Sequence, residues 1–84
     1  MYLVRCTDWS LYTGVTVDVL HRVEAHNGTH AGGAKYTRSR RPVTLVYVEA
    51  AESRSAALRR ERAIKGMTRA KKEELILTWR LGPT

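Results

Sequence analysis

The sequence predicts a small α+β domain in which a three-stranded antiparallel sheet is flanked by three helices, in the order β-β-α-β-α-α. Three observations lead there. The chain has 84 residues, which suits one domain over 1–84 and leaves no room for a second. Residues 2–7, 10–15 and 43–49 form short runs rich in β-forming side chains. Three other stretches place apolar residues at helical spacing behind capping residues. Packing helices against a sheet is the usual way to bury such faces together.

The elements follow in order. Tyr2-Leu3-Val4-Arg5-Cys6-Thr7 and Ser10-Leu11-Tyr12-Thr13-Gly14-Val15 read as a strand pair joined at Asp8-Trp9. That dipeptide is not a favoured hairpin turn, so the turn type stays open. Gly14 marks a bulge or a close backbone approach. A first helix is expected over about 18–27, capped by Thr16 or Asp18, with Val19, Leu20 and Val23 as its apolar stripe. Arg22 and His26 lie one turn apart and share a face beside that stripe. Asn27-Gly28 is the expected stop. Residues 28–42, with three glycines, Pro42 and several basic residues, read as a surface loop in which His30 is exposed.

The near-continuous apolar run Val43-Thr44-Leu45-Val46-Tyr47-Val48-Glu49 reads as the central strand. A second helix is expected over 54–65, capped by Ser53 and ended by Gly66, with Ala57, Leu58, Glu61 and Ile64 on one face. Thr68 caps a third helix over 69–79, whose apolar face is Leu75, Ile76 and Trp79, and Gly82-Pro83 close the chain.

Composition narrows the class. Lys and Arg number 15 against 8 Asp and Glu, a net charge of +7. The excess is clustered at Lys35, Arg38, Arg40 and Arg41, again at Arg59, Arg60, Arg62 and Lys65, and at Lys71-Lys72. Such clusters attract polyanions, of which nucleic acid is the commonest, with salt-dependent affinity. The alternative is that they are solvated faces. No apolar run approaches the roughly 20 residues that span a bilayer, so no membrane is expected. Arg5 and Asp8 argue against a signal peptide at the N-terminus. Cys6 is the lone cysteine, which excludes an internal disulfide and a cysteine-built zinc site and suits a reducing cytoplasm.

Glu61 conflicts with pure packing. It falls inside the stripe expected to face the sheet, and an unpaired buried carboxylate is costly. It therefore pairs with a cation, binds a metal, or reaches out to solvent. Trp9 at the hairpin tip either stacks on a base or packs at an edge.

The run Leu11-Tyr12-Thr13-Gly14-Val15-Thr16, taken with Tyr2-Leu3-Val4, resembles the paired signature of the GIY-YIG nuclease superfamily. It is most similar to the small single-domain bacterial proteins of that group. The resemblance extends through His21-Arg22-Val23-Glu24-Ala25-His26-Asn27, Lys35-Tyr36-Thr37-Arg38, Arg41-Pro42-Val43 and Leu58-Arg59-Arg60-Glu61-Arg62-Ala63-Ile64-Lys65. It covers Tyr2 to about Ile76. Tyr-Thr-Gly alone carries nothing. The arginine ten positions after Tyr12, the histidine four further on, and the later Arg-Glu-x-x-Ile-Lys helix make the pattern specific. Two departures stand out. The first motif lacks its glycine, and Leu77 to Thr84 contain no asparagine where better-studied relatives carry one.

The resemblance implies a three-stranded antiparallel sheet with surrounding helices, and cleavage of a DNA phosphodiester with one divalent cation, Mg²⁺ or Mn²⁺. It implies Tyr2 and Tyr12 as the active-site tyrosines, Arg22 as the phosphate-facing arginine, His26 as the helix histidine beside it, and Glu61 as the metal ligand. The chemistry suits these types. A planar guanidinium matches phosphate oxygens. A phenol takes or steers a water proton once a cation favours its phenolate. His26 relays a proton or positions Tyr12. Lys35, Tyr36, Arg38, Arg40, Arg41, Arg60 and Lys65 are the expected nucleic-acid-binding residues.

The expected function is a metal-dependent DNA endonuclease that selects branched, damaged or single-stranded DNA. No long helix exposes base-reading side chains, so a protein partner supplying specificity is also expected. The alternative is a non-catalytic basic nucleic-acid-binding module on the same fold, with phosphate contacts alone supplying affinity. A third reading is a protein-interaction domain.

Overall fold

A computed structural model describes residues 1–28 and 33–81. His30, Gly32 and the closing Gly82-Pro83 lie outside the described residues. The elements are β1 (Tyr2–Arg5), β2 (Leu11–Gly14), α1 (Val19–His26), α2 (Lys35–Arg38), β3 (Thr44–Val48), α3 (Arg54–Lys65) and α4 (Arg69–Leu81). The three strands form one antiparallel sheet in the order β2-β1-β3.

This order corrects the expectation for the run at 43–49. The central strand is β1, whose Tyr2, Leu3 and Val4 are all buried, whereas β3 is an edge. The run is apolar because α4 packs along it, not because strands flank it on both sides. Its register slips between Leu3 and Val4 of β1, which leaves Val46 without a partner. Irregularities of this kind are common on edge strands. A second correction falls in the loop expected over 28–42. Lys35 to Arg38 form a one-turn helix that buries Thr37, so the described chain has four helices rather than three.

The β1–β2 connection is tighter than the strand pattern suggested. The Cys6 N–H donates to the Ser10 carbonyl at 2.9 Å and the Trp9 N–H to the Cys6 carbonyl at 3.0 Å. The Asp8 carboxylate accepts from the Ser10 N–H. Trp9 takes a positive φ of 69° and is 69% exposed. Its carbonyl accepts from Arg69.

Alternation along β1 sorts the core onto two faces. Leu3, with Met1, Tyr47, Ile64 and Ile76, packs towards α3 and α4. Tyr2 and Val4, with Cys6 and Val43, pack towards α1, where Val19, Val23, Tyr12 and Leu45 adjoin them. Leu20 and Leu58, both placed on apolar stripes by their spacing, are exposed. Trp79 is also exposed, although its ring lies 6.3 Å from that of Tyr47.

Local chemistry sets the helix ends. Asp18, not Thr16, caps α1 by accepting from the His21 N–H at 3.0 Å. Ser53 caps α3 through the Ala56 N–H, and Thr68 accepts from the Lys71 N–H at the start of α4. Beyond α1, Asn27 clamps Val43. Its Nδ2 donates to the Val43 carbonyl at 3.0 Å, and its Oδ1 accepts from the Val43 N–H at 2.6 Å. Arg41 Nε donates to the His26 carbonyl at 2.6 Å. Arg5 grips Glu73 with both guanidinium nitrogens, at 2.6 and 2.9 Å, and so ties α4 to β1. No helix among the described residues is long and apolar enough to cross a membrane.

Candidate active site

Strand pairing brings the two tyrosines together. Tyr2 lies opposite Gly14, and Val4 opposite Tyr12. Directly opposed residues share a face, so both phenols stand on the side covered by α1. Their ring centroids are 6.5 Å apart.

Helix α1 presents Arg22 and His26, one turn apart, to these phenols. The Arg22 guanidinium lies near both phenols, and hydrogen bonding with Tyr2 first, then the charges of Tyr2 and Tyr12, raise its pKa further above the ordinary value. His26 is fully buried. Its Nε2 lies 2.7 Å from the Tyr2 hydroxyl, and its ring meets Tyr12 edge-on at 5.1 Å. The hydrogen bond of His26 therefore goes to Tyr2, not to Tyr12.

The electrostatics separate these groups. Burial raises the pKa of Tyr2, and the nearby Tyr12 and Glu61 add to the rise. Hydrogen bonding and charge from Arg22 oppose it. Burial also lowers the pKa of His26, assisted by the positive charges of Arg22 and Arg41. At neutral pH the site thus holds a neutral imidazole, a neutral Tyr2 phenol and a permanent cation.

Glu61 lies on α3, close enough to Tyr2 for its charge to oppose ionisation of that phenol. Its side chain is 20% exposed, and Lys65 Nζ approaches at 3.8 Å. Among the described residues no group of three or more His, Cys, Asp or Glu side chains surrounds one point. A cation held here would have Glu61 as its protein ligand and water or substrate oxygens for the rest. A single hard carboxylate fits Mg²⁺, which keeps several waters and takes few protein ligands.

Helix α2 forms the next wall. Tyr36 stacks on Tyr12, with centroids 5.9 Å apart and planes at 26°. The Arg40 guanidinium covers Tyr36 at 4.0 Å from its centroid. Arg40 also pairs with Asp8 at 3.0 Å and donates to the Tyr36 carbonyl at 2.8 Å. Of the basic residues read as nucleic-acid-binding, Arg60 pairs with Glu49 at 2.8 Å, Lys65 with Glu61, and Arg41 with the His26 carbonyl. Lys35 and Arg38 are exposed on α2.

Gly14, read as a bulge or a close backbone approach, is where the Tyr2 ring packs, whereas Ala34 and Thr37 had no expected role of their own. A β-carbon on Gly14 would collide with the Tyr2 phenol. Thr37 is buried, with Oγ1 2.9 Å from His26 Nδ1, and the Ala34 N–H donates to the same nitrogen at 3.2 Å. A hydroxyl between Tyr36 and Arg38 was the sole signal of Thr37.

Comparison with known proteins places these residues in a family. The GIY-YIG catalytic domain model matches residues 1–74. A UPF0213 protein of Haloquadratum walsbyi is 56% identical over 75 residues, covering 89% of this chain and 82% of its own. A UPF0213 protein of Staphylococcus aureus is 57% identical over 76 residues, covering 90% of each. A solution NMR structure of the UPF0213 protein from Bacillus halodurans has a TM-score of 0.55 and 43% identity, over 89% of this chain and 78% of that one. The match spans both phenols, Arg22, His26 and Glu61, and the chain belongs to the GIY-YIG domain family alongside the small UPF0213 proteins.

Proposed function

We propose that this chain is a divalent-metal-dependent DNA endonuclease that hydrolyses phosphodiester bonds and selects DNA by structure rather than sequence. The observation that carries the reading is the convergence of Arg22 on the hydroxyls of Tyr2 and Tyr12, with Glu61 within electrostatic reach. Family membership supports a nuclease in general. The net charge of +7 supports a polyanionic substrate.

The residues divide the work. Arg22 binds phosphate oxygens and balances the negative charge that develops as water attacks. Tyr12 steers the attacking water or takes its proton. Glu61 holds Mg²⁺ or Mn²⁺ together with water. When bound, that ion polarises the phosphate and stabilises the leaving oxygen. His26 orients Tyr2. Lys35 and Arg38 add backbone affinity beside the site. The 84 residues of this chain offer little surface for reading bases, which supports structure selectivity. A partner protein is the alternative source of specificity. The lone, buried Cys6 suits a reducing cytoplasm.

The test is incubation of nicked, branched, single-stranded and linear duplex DNA with Mg²⁺ or Mn²⁺, comparing the wild type with Glu61→Ala and Tyr12→Phe. Cleavage that is lost in both variants while binding persists is the expected result. Binding without cleavage under either metal would favour the non-catalytic basic module. Absence of binding at low salt would favour a protein-interaction domain.

A further inference from the structure

The two ring nitrogens of His26 keep different company. Nδ1 faces the Ala34 N–H at 3.2 Å and Thr37 Oγ1 at 2.9 Å, whereas Nε2 faces the Tyr2 hydroxyl at 2.7 Å. A backbone N–H can only donate, so Nδ1 must offer its lone pair. In a neutral ring the proton then sits on Nε2. The Thr37 hydroxyl accommodates this, because it donates to Nδ1 or to the Ala34 carbonyl, 2.9 Å away. The opposite tautomer would point Nδ1–H at the Ala34 N–H and leave a donor unpaired in a buried setting, which is costly.

The consequence falls on Tyr2. Its oxygen accepts from His26 Nε2–H, and the nearby Arg22 guanidinium has only donors to offer it. Neither interaction uses the phenolic proton. We propose that the turn from Ala34 to Thr37 fixes His26 as the Nε2–H tautomer and thereby makes Tyr2 a hydrogen-bond donor to a phosphate oxygen of the substrate. This rests on reading the residues around Tyr2 and Tyr12 as a phosphodiester-cleaving site. Ala34 and Thr37 are positioning residues that act on the Tyr2 hydroxyl through His26. The two phenols then have separate tasks, with Tyr2 donating and Tyr12 left to the attacking water.

The test reads the tautomer directly. Protein with ¹⁵N-labelled histidine is examined at neutral pH by long-range ¹H–¹⁵N correlation, with His26 assigned by its absence in His26→Gln. The expected wild-type spectrum shows a protonated Nε2 and a bare Nδ1. Replacing Ala34 by lactic acid exchanges its N–H for an ester oxygen without added bulk. That change is expected to shift His26 towards the Nδ1–H form, donating to Thr37. It should lower the cleavage rate by about tenfold or more, the worth of one hydrogen bond in the transition state, with DNA binding retained. Thr37→Val removes the acceptor for the wrong tautomer and is expected to keep Nε2–H. A wild-type Nδ1–H signal would overturn the inference even if the enzyme cleaves DNA and the nuclease reading stands. An ester variant that keeps Nε2–H would overturn the role of Ala34. The expected tautomer in a wild type that cleaves no DNA would overturn the nuclease reading and the donor role of Tyr2 together.

Discussion

The phenol of Tyr2 fills the space that a side chain on its cross-strand partner Gly14 would need. A β-carbon there would stand 2.6 Å from the phenol Cζ and closer still to its oxygen. Tyr2 is buried and held by His26 and Arg22, so it has no free room to swing away. Gly14→Ala is therefore expected to displace the ring and break the 2.7 Å bond to His26. Overpacking of this kind costs about 1–3 kcal/mol. Urea denaturation checks the stability, and nicked-DNA cleavage should fall with it. A variant of unchanged stability and activity would show that the ring is free to move.

Asn27 holds the base of the site through two bonds to one residue. Asn27→Ala leaves both the N–H and the carbonyl of buried Val43 without this partner. The expected loss is about 1–3 kcal/mol. Asn27→Asp keeps an acceptor for the Val43 N–H but sets a carboxylate oxygen against the Val43 carbonyl. It should be the less stable of the two at neutral pH and recover relative to Asn27→Ala in acid, as that carboxylate gains a proton. Parallel melts at neutral and acid pH test the order, and the same ranking at both would refute it.

The parts of the fold legible in the sequence were those written locally. Ser53 and Gly66 bracket α3 at the residues their chemistry predicts, and the spacing of Arg22 and His26 puts both on the face that meets the tyrosines. Sheet order was not legible, because it depends on pairing between distant segments. The longest apolar run belongs to an edge strand that α4 covers, while the central strand is only four residues long and ends in Arg5. Helix α2 was hidden for a similar reason. Its single turn is held by Thr37 against His26, eleven residues away, and no local signal announces that bond. The motif spacing singled out Tyr2, Tyr12, Arg22 and His26, which the structure brings together. The second layer behind His26 was not legible, since a backbone N–H has no letter of its own.

Glu61 offers a direct test of an open site. It pairs with Lys65 at 3.8 Å, and that lysine is more than half exposed. A surface pair at this helical spacing contributes about 0.3–0.5 kcal/mol. Glu61→Ala should therefore unfold within roughly 0.5 kcal/mol of the wild type in the presence of a chelator. Mn²⁺ should raise the melting temperature of the wild type and leave the variant unmoved, because an ion stabilises only the state that binds it. A loss of about 3–5 kcal/mol without metal would instead mark a buried ion pair.

His26 makes stability depend on pH in a definite direction. Burial and the charges of Arg22 and Arg41 lower its pKa in the folded protein, whereas in the unfolded chain it titrates near its ordinary value of about 6.5. Between those two values the unfolded state binds more protons, so stability rises with pH. The contribution is fully present above about 6.5 and is lost as pH falls through the folded value. Asp8, Glu49 and Glu73, also lowered in the fold, act in the same sense at more acid pH. His26→Gln retains those carboxylates and removes the imidazole. Melting temperatures taken from neutral to mildly acid pH should therefore fall more steeply for the wild type than for His26→Gln, with the gap opening before the carboxylates titrate. Parallel curves would mean that the imidazole accepts a proton in the fold as readily as in the open chain, and that its burial against Tyr2 and Thr37 does not constrain its charge.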